Sequence, residues 1–250
     1  MGNNKQMIGP FELDSIVCTD AYKAIKLIPN NSVDMIYCDI PYLYQQGGGG
    51  SSELGKRIKN RAKKLELIGM TDGVDYVILD EFVRVMKKIN CYIWCSKLQI
   101  LDIMKFFVEK HNCYFEILTW NKTNPTPSTN NSWLPDIEYC LYFREKGVPL
   151  NDGYEYKSKF YVAPVNVSDK KKFKHMTIKP LPLVEKHILH ASKEGDIVFD
   201  CFLGSGTTAV ACKKNNRHFL GFEINEKYYK IAQNRLNNLD ATGQYSMFTV

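Results

Sequence analysis

A chain of 250 residues that is 44% apolar and 24% charged can bury a sizeable core, in one large α/β domain or two small ones. Its net charge of +6 permits a nucleic-acid partner without requiring one. The N-terminus lacks the apolar centre of a secretory leader, and no apolar run approaches the roughly 20 residues that span a bilayer, so a cytoplasmic protein is expected.

In chain order, short apolar runs alternate with amphipathic ones, the pattern of βαβ units. A helix is predicted over Tyr22–Leu27, then a strand over Val33–Ile40. Tyr76–Lys88 carries Val77, Leu79, Phe82, Val83 and Met86 on a helical period and precedes a strand at Cys91–Ser96. Leu98–Lys110 reads as helix, and Tyr114–Trp120 and Asp136–Phe143 read as strands. The last third alternates helix Pro182–Ala191, strand Asp196–Phe202, helix Thr207–Lys214, strand His218–Ile224 and helix Glu226–Leu236. Six strands with interleaved helices imply one mostly parallel sheet covered on both faces, in a single catalytic domain spanning 1–250.

Two stretches depart from this pattern. Residues 43–73 hold Gly47–Gly50 and then a basic run with Lys56, Arg57, Lys59, Arg61, Lys63 and Lys64. Residues 145–174 lack periodicity, are rich in tyrosine, and end in Lys170, Lys171, Lys172 and Lys174. Both follow the C-terminal ends of predicted strands, where open α/β sheets bind ligands. Both, at 43–73 and 145–174, read as functional loops at the ligand-binding end of the sheet. Of the eight cysteines, Cys38, Cys91, Cys95, Cys140 and Cys201 lie in apolar, strand-like runs, with no C-x-x-C pair and no zinc-type histidine spacing. They read as small buried hydrophobes, with no disulfide and no metal expected.

The segment Asp196 to Lys214 reads as a buried strand, a glycine turn with Gly204 and Gly206, and a helix start with Thr207 and Thr208. Glycines let a backbone turn tightly and approach a ligand closely. Glu223 ends the next strand, where a carboxylate can accept the ribose hydroxyls of an adenosine cofactor. The string Gly204-Ser205-Gly206-Thr207-Thr208-Ala209 also matches a dinucleotide fingerprint. Asp200 argues against that reading, because its carboxylate would repel a pyrophosphate and attract a cationic cofactor.

The strand ending at Asp39-Ile40-Pro41-Tyr42 suits an exocyclic amine. The lone pair of such an amine is delocalised into its ring. Two acceptors on its hydrogens, the Asp39 carboxylate and the Ile40 carbonyl held extended by Pro41, can draw it toward tetrahedral geometry. Tyr42 offers a face for an extruded base, where stacking contributes roughly 1–3 kcal/mol.

Together these residues resemble the amino-methylating DNA methyltransferases, which make N6-methyladenine or N4-methylcytosine. Their D/N/S-P-P-Y/F element reads Asp39-Ile40-Pro41-Tyr42 here, and F-x-G-x-G reads Phe202-Leu203-Gly204-Ser205-Gly206. The catalytic motif precedes the cofactor motif, as in the circularly permuted β class. His175-Met176-Thr177-Ile178-Lys179-Pro180 is similar to that group's H-P-T-x-K-P element, and Cys18-Thr19-Asp20 resembles its G-D-x opening. Ile40 and Met176 replace family prolines.

The resemblance implies a Rossmann-like S-adenosylmethionine-dependent methyltransferase fold and a cytoplasmic enzyme of bacterial or phage type. The implied activity is methylation of N6 of adenine in double-stranded DNA by base flipping, in an enzyme expected to dimerise. N4 of cytosine, or an RNA amine, is the alternative target. The resemblance further implies that Asp200, Phe202, Gly204, Ser205, Gly206 and Thr207 line the cofactor pocket. Thr177 and Lys179 would lie near the methionine end, Glu223 at the ribose and Asp20 near the adenine. Asp39 in the first motif position and Trp120-Asn121-Lys122-Thr123-Asn124-Pro125 lean toward adenine. Cytosine C5 chemistry is disfavoured, because it needs a cysteine nucleophile, usually as Pro-Cys, and none of the ten prolines precedes a cysteine. Lys56, Arg57, Lys59, Arg61, Lys122, Lys171 and Lys172 are the expected phosphate contacts.

Overall fold

Strands that are apolar on both faces must lie between two layers of helix, and amphipathic helices supply those layers. The computed structural model describes residues 6–44, 56, 60, 72–128, 133–165, 167, 170, 173 and 177–239. Strands β1 (Met7–Ile8) and β2 (Phe11–Glu12) pair as a small hairpin. The main strands are β3 (Ser15–Cys18), β4 (Met35–Asp39), β5 (Asn90–Cys95), β6 (Tyr114–Lys122), β7 (Ile137–Arg144), β8 (Phe160–Ala163), β9 (Ile197–Asp200) and β10 (His218–Glu223). They form one sheet in the order β3-β10-β9-β4-β5-β7-β6-β8. Every pairing is parallel except the two made by β7, which therefore runs against its neighbours.

Helices α1 (Ala21–Ala24), α2 (Val77–Val85) and α3 (Ile100–Met104) cover one face. Helices α4 (Leu181–Ala191), α5 (Thr207–Lys214) and α6 (Glu226–Asn237) cover the other. The period-2 rule is visible even in the fully buried strands. Met35 and Tyr37 of β4 face the α4–α6 core, whereas Ile36 and Cys38 face the α1–α3 core. Seven of the eight cysteines are buried and all eight are unpaired; only Cys18 is exposed.

Several predicted boundaries shift for physical reasons. The helix expected to Lys88 stops at Val85, because Met86 turns extended and bridges to Val33 beside the sheet. The helix expected over Leu98–Lys110 is ordinary only to Met104 and continues to Lys110 with a wider, π-type turn. Two strands of the main sheet were not anticipated, nor was the β1–β2 hairpin. β3 is only four residues long, and β8 lies inside the stretch read as aperiodic, paired along the outer edge of β6. Edge strands of this length carry too few residues to show an alternation. Gly206 precedes α5 with φ +82°, and a Cβ there would stand 2.9 Å from that of Ala232 on α6. The second glycine of the turn thus serves both a left-handed backbone and a close helix approach.

Candidate active site

The motif-bearing strands β4 and β9 are neighbours in the sheet. Cys38 and Cys201 at their ends are 163 positions apart in sequence, yet their sulfurs lie 3.5 Å apart. Beyond the C-terminal ends of β3, β10, β9 and β4 opens a cavity of about 440 Å³. Asp20, Asp39, Pro41, Thr177, Lys179, Asp200, Phe202, Gly204, Ser205, Thr207 and Glu223 all line it. One wall of one cavity therefore gathers most of the residues singled out by two distant motifs. Ile40, Tyr42 and Gly206 are not among its lining residues. The Ile40 side chain is buried, and its N–H donates to the Trp94 carbonyl at 3.2 Å, extending the β4–β5 ladder.

The glycine-turn end is held by carboxylates. Glu223 is buried and accepts from Gly204 N–H and from Asn225 N–H, each at 2.7 Å, so its position is locked to the turn. Asp200 accepts from Phe202 N–H at 3.1 Å and from the Thr208 hydroxyl at 2.6 Å. Burial pushes the Asp200 carboxyl up to about 7, against those two hydrogen bonds. Asp20 caps α1 by accepting from Tyr22 N–H at 2.9 Å. Arg235 of α6, fully buried, donates to the Ser205 carbonyl and hydroxyl and to the Thr207 hydroxyl, bracing the turn from behind.

At the other end stands a chain of alternating charge. Lys179, only 7% exposed, places Nζ 2.5 Å from Asp39 Oδ2 and 3.1 Å from Glu138 Oε2. Lys122 closes the chain at 2.8 Å from Glu138 Oε1. Nζ of Lys179 also donates to the Tyr42 hydroxyl at 3.2 Å and lies over the Trp94 ring, 4.9 Å from its centre. Asp39 Oδ1, by contrast, is buried and has no hydrogen-bond partner among the described residues. Burial pushes the Asp39 carboxyl up, with the Lys179 ammonium working the other way. Burial would also raise Glu138, but the Lys179 and Lys122 ammoniums outweigh it and hold it at about 2.

The loop after the tetrapeptide is clamped by the buried Gln99. Its amide N–H donates to the Pro41 carbonyl at 3.0 Å, and its oxygen accepts from Leu43 N–H and Ser96 N–H. Neither Gln99 nor Arg235 follows from a motif. Glu138 carries a signal, as a lone carboxylate in the apolar strand Ile137-Glu138-Tyr139-Cys140-Leu141.

Lys122 departs from its expected role. Its ammonium is engaged by Glu138 and reaches the Pro135 carbonyl, so it is not presented to a phosphate. Lys56 is exposed. Arg57, Lys59, Arg61, Lys171 and Lys172 lie outside the described residues, as do His175 and Met176. Among the described residues, no group of His, Cys, Asp or Glu side chains could hold a metal, and no helix is long and apolar enough to cross a membrane.

A titration tests the electrostatics of the turn. A carboxyl whose affinity for its proton is raised by folding leaves stability intact below its unfolded value near 4 and lowers it as pH climbs toward 7. Asp200→Asn keeps the shape and can retain both hydrogen bonds. The ligand-free wild type should lose roughly 2–4 kcal/mol across that window, and the variant markedly less. Thermal melts from pH 4 to 8 measure this, and parallel curves for the two proteins would remove Asp200 from the effect.

Comparison with known proteins agrees with this arrangement. The chain is 30% identical over 252 residues to the type II methyltransferase M2.LlaDCHI of Lactococcus lactis subsp. cremoris, covering 89% of this chain and 88% of that one. The crystal structure of an M1.HpyAVI–SAM complex superposes with a TM-score of 0.64 at 27% identity, covering 89% of this chain and 98% of the other. The fold is also that of the PvuII cytosine-N4-specific DNA methyltransferase, with a TM-score of 0.65 at 14% identity over 91% and 88% of the two chains. A family model described as DNA methylase, covering N6 and N4 methyltransferases, matches residues 33–234, and the chain belongs to that family.

Proposed function

We propose that this protein transfers a methyl group from S-adenosylmethionine to the N6 amine of an adenine extruded from double-stranded DNA. Asp39 carries the reading. Its Oδ2 accepts from Lys179 while its buried Oδ1 has no hydrogen-bond partner among the described residues, and the residue lines the cavity. A buried carboxylate oxygen without a donor is costly unless a ligand supplies one. A base amine does so, with its second hydrogen taken by the Ile40 carbonyl. Extrusion costs a few kcal/mol of stacking and pairing, which Tyr42 offsets by covering the base. Asp39, whose proton affinity burial raises, then takes the proton shed by the methylated amine.

The cavity residues suit the cofactor. Glu223 faces the ribose with its orientation fixed by two backbone donors. Asp200 offers a negative group to a cationic ligand in a site of low dielectric. Exposed Ile224 and part-buried Phe202 provide apolar surface for a purine. When bound, S-adenosylmethionine supplies the electrophilic methyl group. Adenine is favoured by Asp in the first tetrapeptide position and by the Trp120–Pro125 segment.

Incubating the protein with duplex DNA and S-adenosylmethionine, followed by mass analysis of the nucleosides, tests the reading. N6-methyldeoxyadenosine is expected, and N4-methyldeoxycytidine would assign the other amine. Asp39→Ala should lower the rate by about a hundred- to a thousandfold, with cofactor affinity by calorimetry near wild type. A variant that kept a substantial part of its rate would displace the tetrapeptide from the chemistry.

The basic run after Tyr42 is read as the clamp on the DNA backbone, on charge and on position beside the site. Each phosphate contact contributes about −0.9 to the slope of log affinity against log salt. Replacing Lys56, Arg57, Lys59 and Arg61 by alanine should flatten that slope by about 2 to 4 units on cognate and random duplexes alike. An unchanged slope would leave the run merely solvated.

Self-association into a homodimer is supported by an uncovered sheet face. Phe115, Ile117, Ile137, Phe160 and Val162 share the α1–α3 side of β6, β7 and β8, and all five are exposed. Contiguous apolar surface of this kind marks an interface. Light scattering should report a dimer for wild type and a monomer for Ile117→Glu/Phe160→Glu, and a monomeric wild type would end this reading.

A further inference from the structure

The geometry points to Glu138 as a positioning residue for the methyl transfer. It acts through Lys179 to hold the Asp39 carboxylate with Oδ2 engaged and Oδ1 left for the amine. The inference rests on the assignment of Asp39 above and adds a group on a different strand that touches neither cofactor nor base.

The argument begins with strand direction. Because β7 runs antiparallel, its first residues lie at the sheet edge where β4, β5 and β6 end. Glu138 pairs in register with Trp120, on the α4 side of the sheet, one residue from the start of β7. Lys179 stands just before α4 on that same side, so its ammonium bridges the end of β4 to the start of β7.

A lysine bound to Asp39 alone would be free to slide along the carboxylate and engage both of its oxygens. The second carboxylate prevents this. Glu138 pulls Nζ away from Asp39 Oδ1, and the rings of Trp94 and Tyr42 flank the ammonium. Lys122 supplies Glu138 with its own counter-ion, so the half-buried chain Lys122–Glu138–Lys179–Asp39 is neutral overall. Held at about 2, Glu138 keeps its charge at every working pH.

The charge of Glu138 also bears on Asp39 directly, raising its proton affinity. That distinguishes positioning from scaffolding. In Glu138→Gln the shape is kept, but Lys179 turns wholly to Asp39 and the nearby negative charge is gone. Asp39 then becomes a weaker acceptor, and the acid limb of the kcat profile should move to lower pH. The plateau should fall by about ten- to a hundredfold, the cost of a displaced acceptor. Cofactor affinity should be unchanged.

The experiment compares wild type, Glu138→Gln, Glu138→Asp and Asp39→Ala. It reads kcat against pH, KM for DNA, cofactor binding by calorimetry, and the Asp39 titration in ligand-free protein by carbon NMR. The expected result is a lower plateau, a downward shift of both the acid limb and the Asp39 titration in Glu138→Gln, and partial recovery in Glu138→Asp. A fall in rate with the limb and the titration unmoved would make Glu138 structural and overturn the inference. So would an unchanged rate. Asp39→Ala separates the two levels: if it stays active the assignment of Asp39 fails, and if it is dead the result for Glu138 stands alone.

Discussion

The Lys179 ammonium, buried between two carboxylates at the sheet edge, organises the catalytic end of this molecule. An ammonium taken out of water is tolerated only where opposite charge compensates its lost hydration. Asp39 and Glu138 provide that compensation, and their combined pull outweighs burial and holds the lysine above its ordinary pKa. Three segments are thereby tied to one atom: the end of β4, the start of β7 and the lead into α4. None of them is near the others in sequence.

The opposite end of the cavity is built on a different principle. Backbone amides, not ammonium groups, satisfy Glu223, and a hydroxyl and an amide satisfy Asp200. Neutral donors orient a carboxylate without an opposite charge to neutralise it, and burial raises the proton affinity of both groups, Asp200 to about 7. The cavity thus pairs a carboxylate held by an ammonium with carboxylates whose charge a cationic ligand draws out. That contrast separates a site that grips a neutral amine from a site that attracts a cationic cofactor.

Much of this was legible in the sequence because it depends on local chemistry. The turn at Gly204 and Gly206, the strand before it and Glu223 after it are contiguous or follow at the next strand end, where topology dictates proximity. The tetrapeptide after β4 was legible for the same reason. The partnerships of Lys122, Glu138 and Gln99 were not, even though Glu138 stands out as a lone carboxylate, because partners are set by strand order and direction, which no local pattern encodes. Lys122 looked like a surface cation in a basic protein. Only the register of β6 against β7 places it on Glu138. The edge strand Phe160–Ala163 escaped notice because a four-residue strand is defined by its partner and not by its own periodicity.

The antiparallel course of β7 has an evolutionary consequence. Its connection from β6, residues 123–136, joins the strand ends that carry Lys122 and Glu138 and can change in length or composition while both strands stay in place. Side chains on a strand alternate between faces, so a slip of a single position would send Glu138 to the uncovered apolar side and bring a neighbour beneath Lys179. Drift is therefore open to the connecting segment, where new target preferences could arise, and closed to the strand that follows it. Diversification of what is read and preservation of how it is modified are separated at one residue, the first of β7.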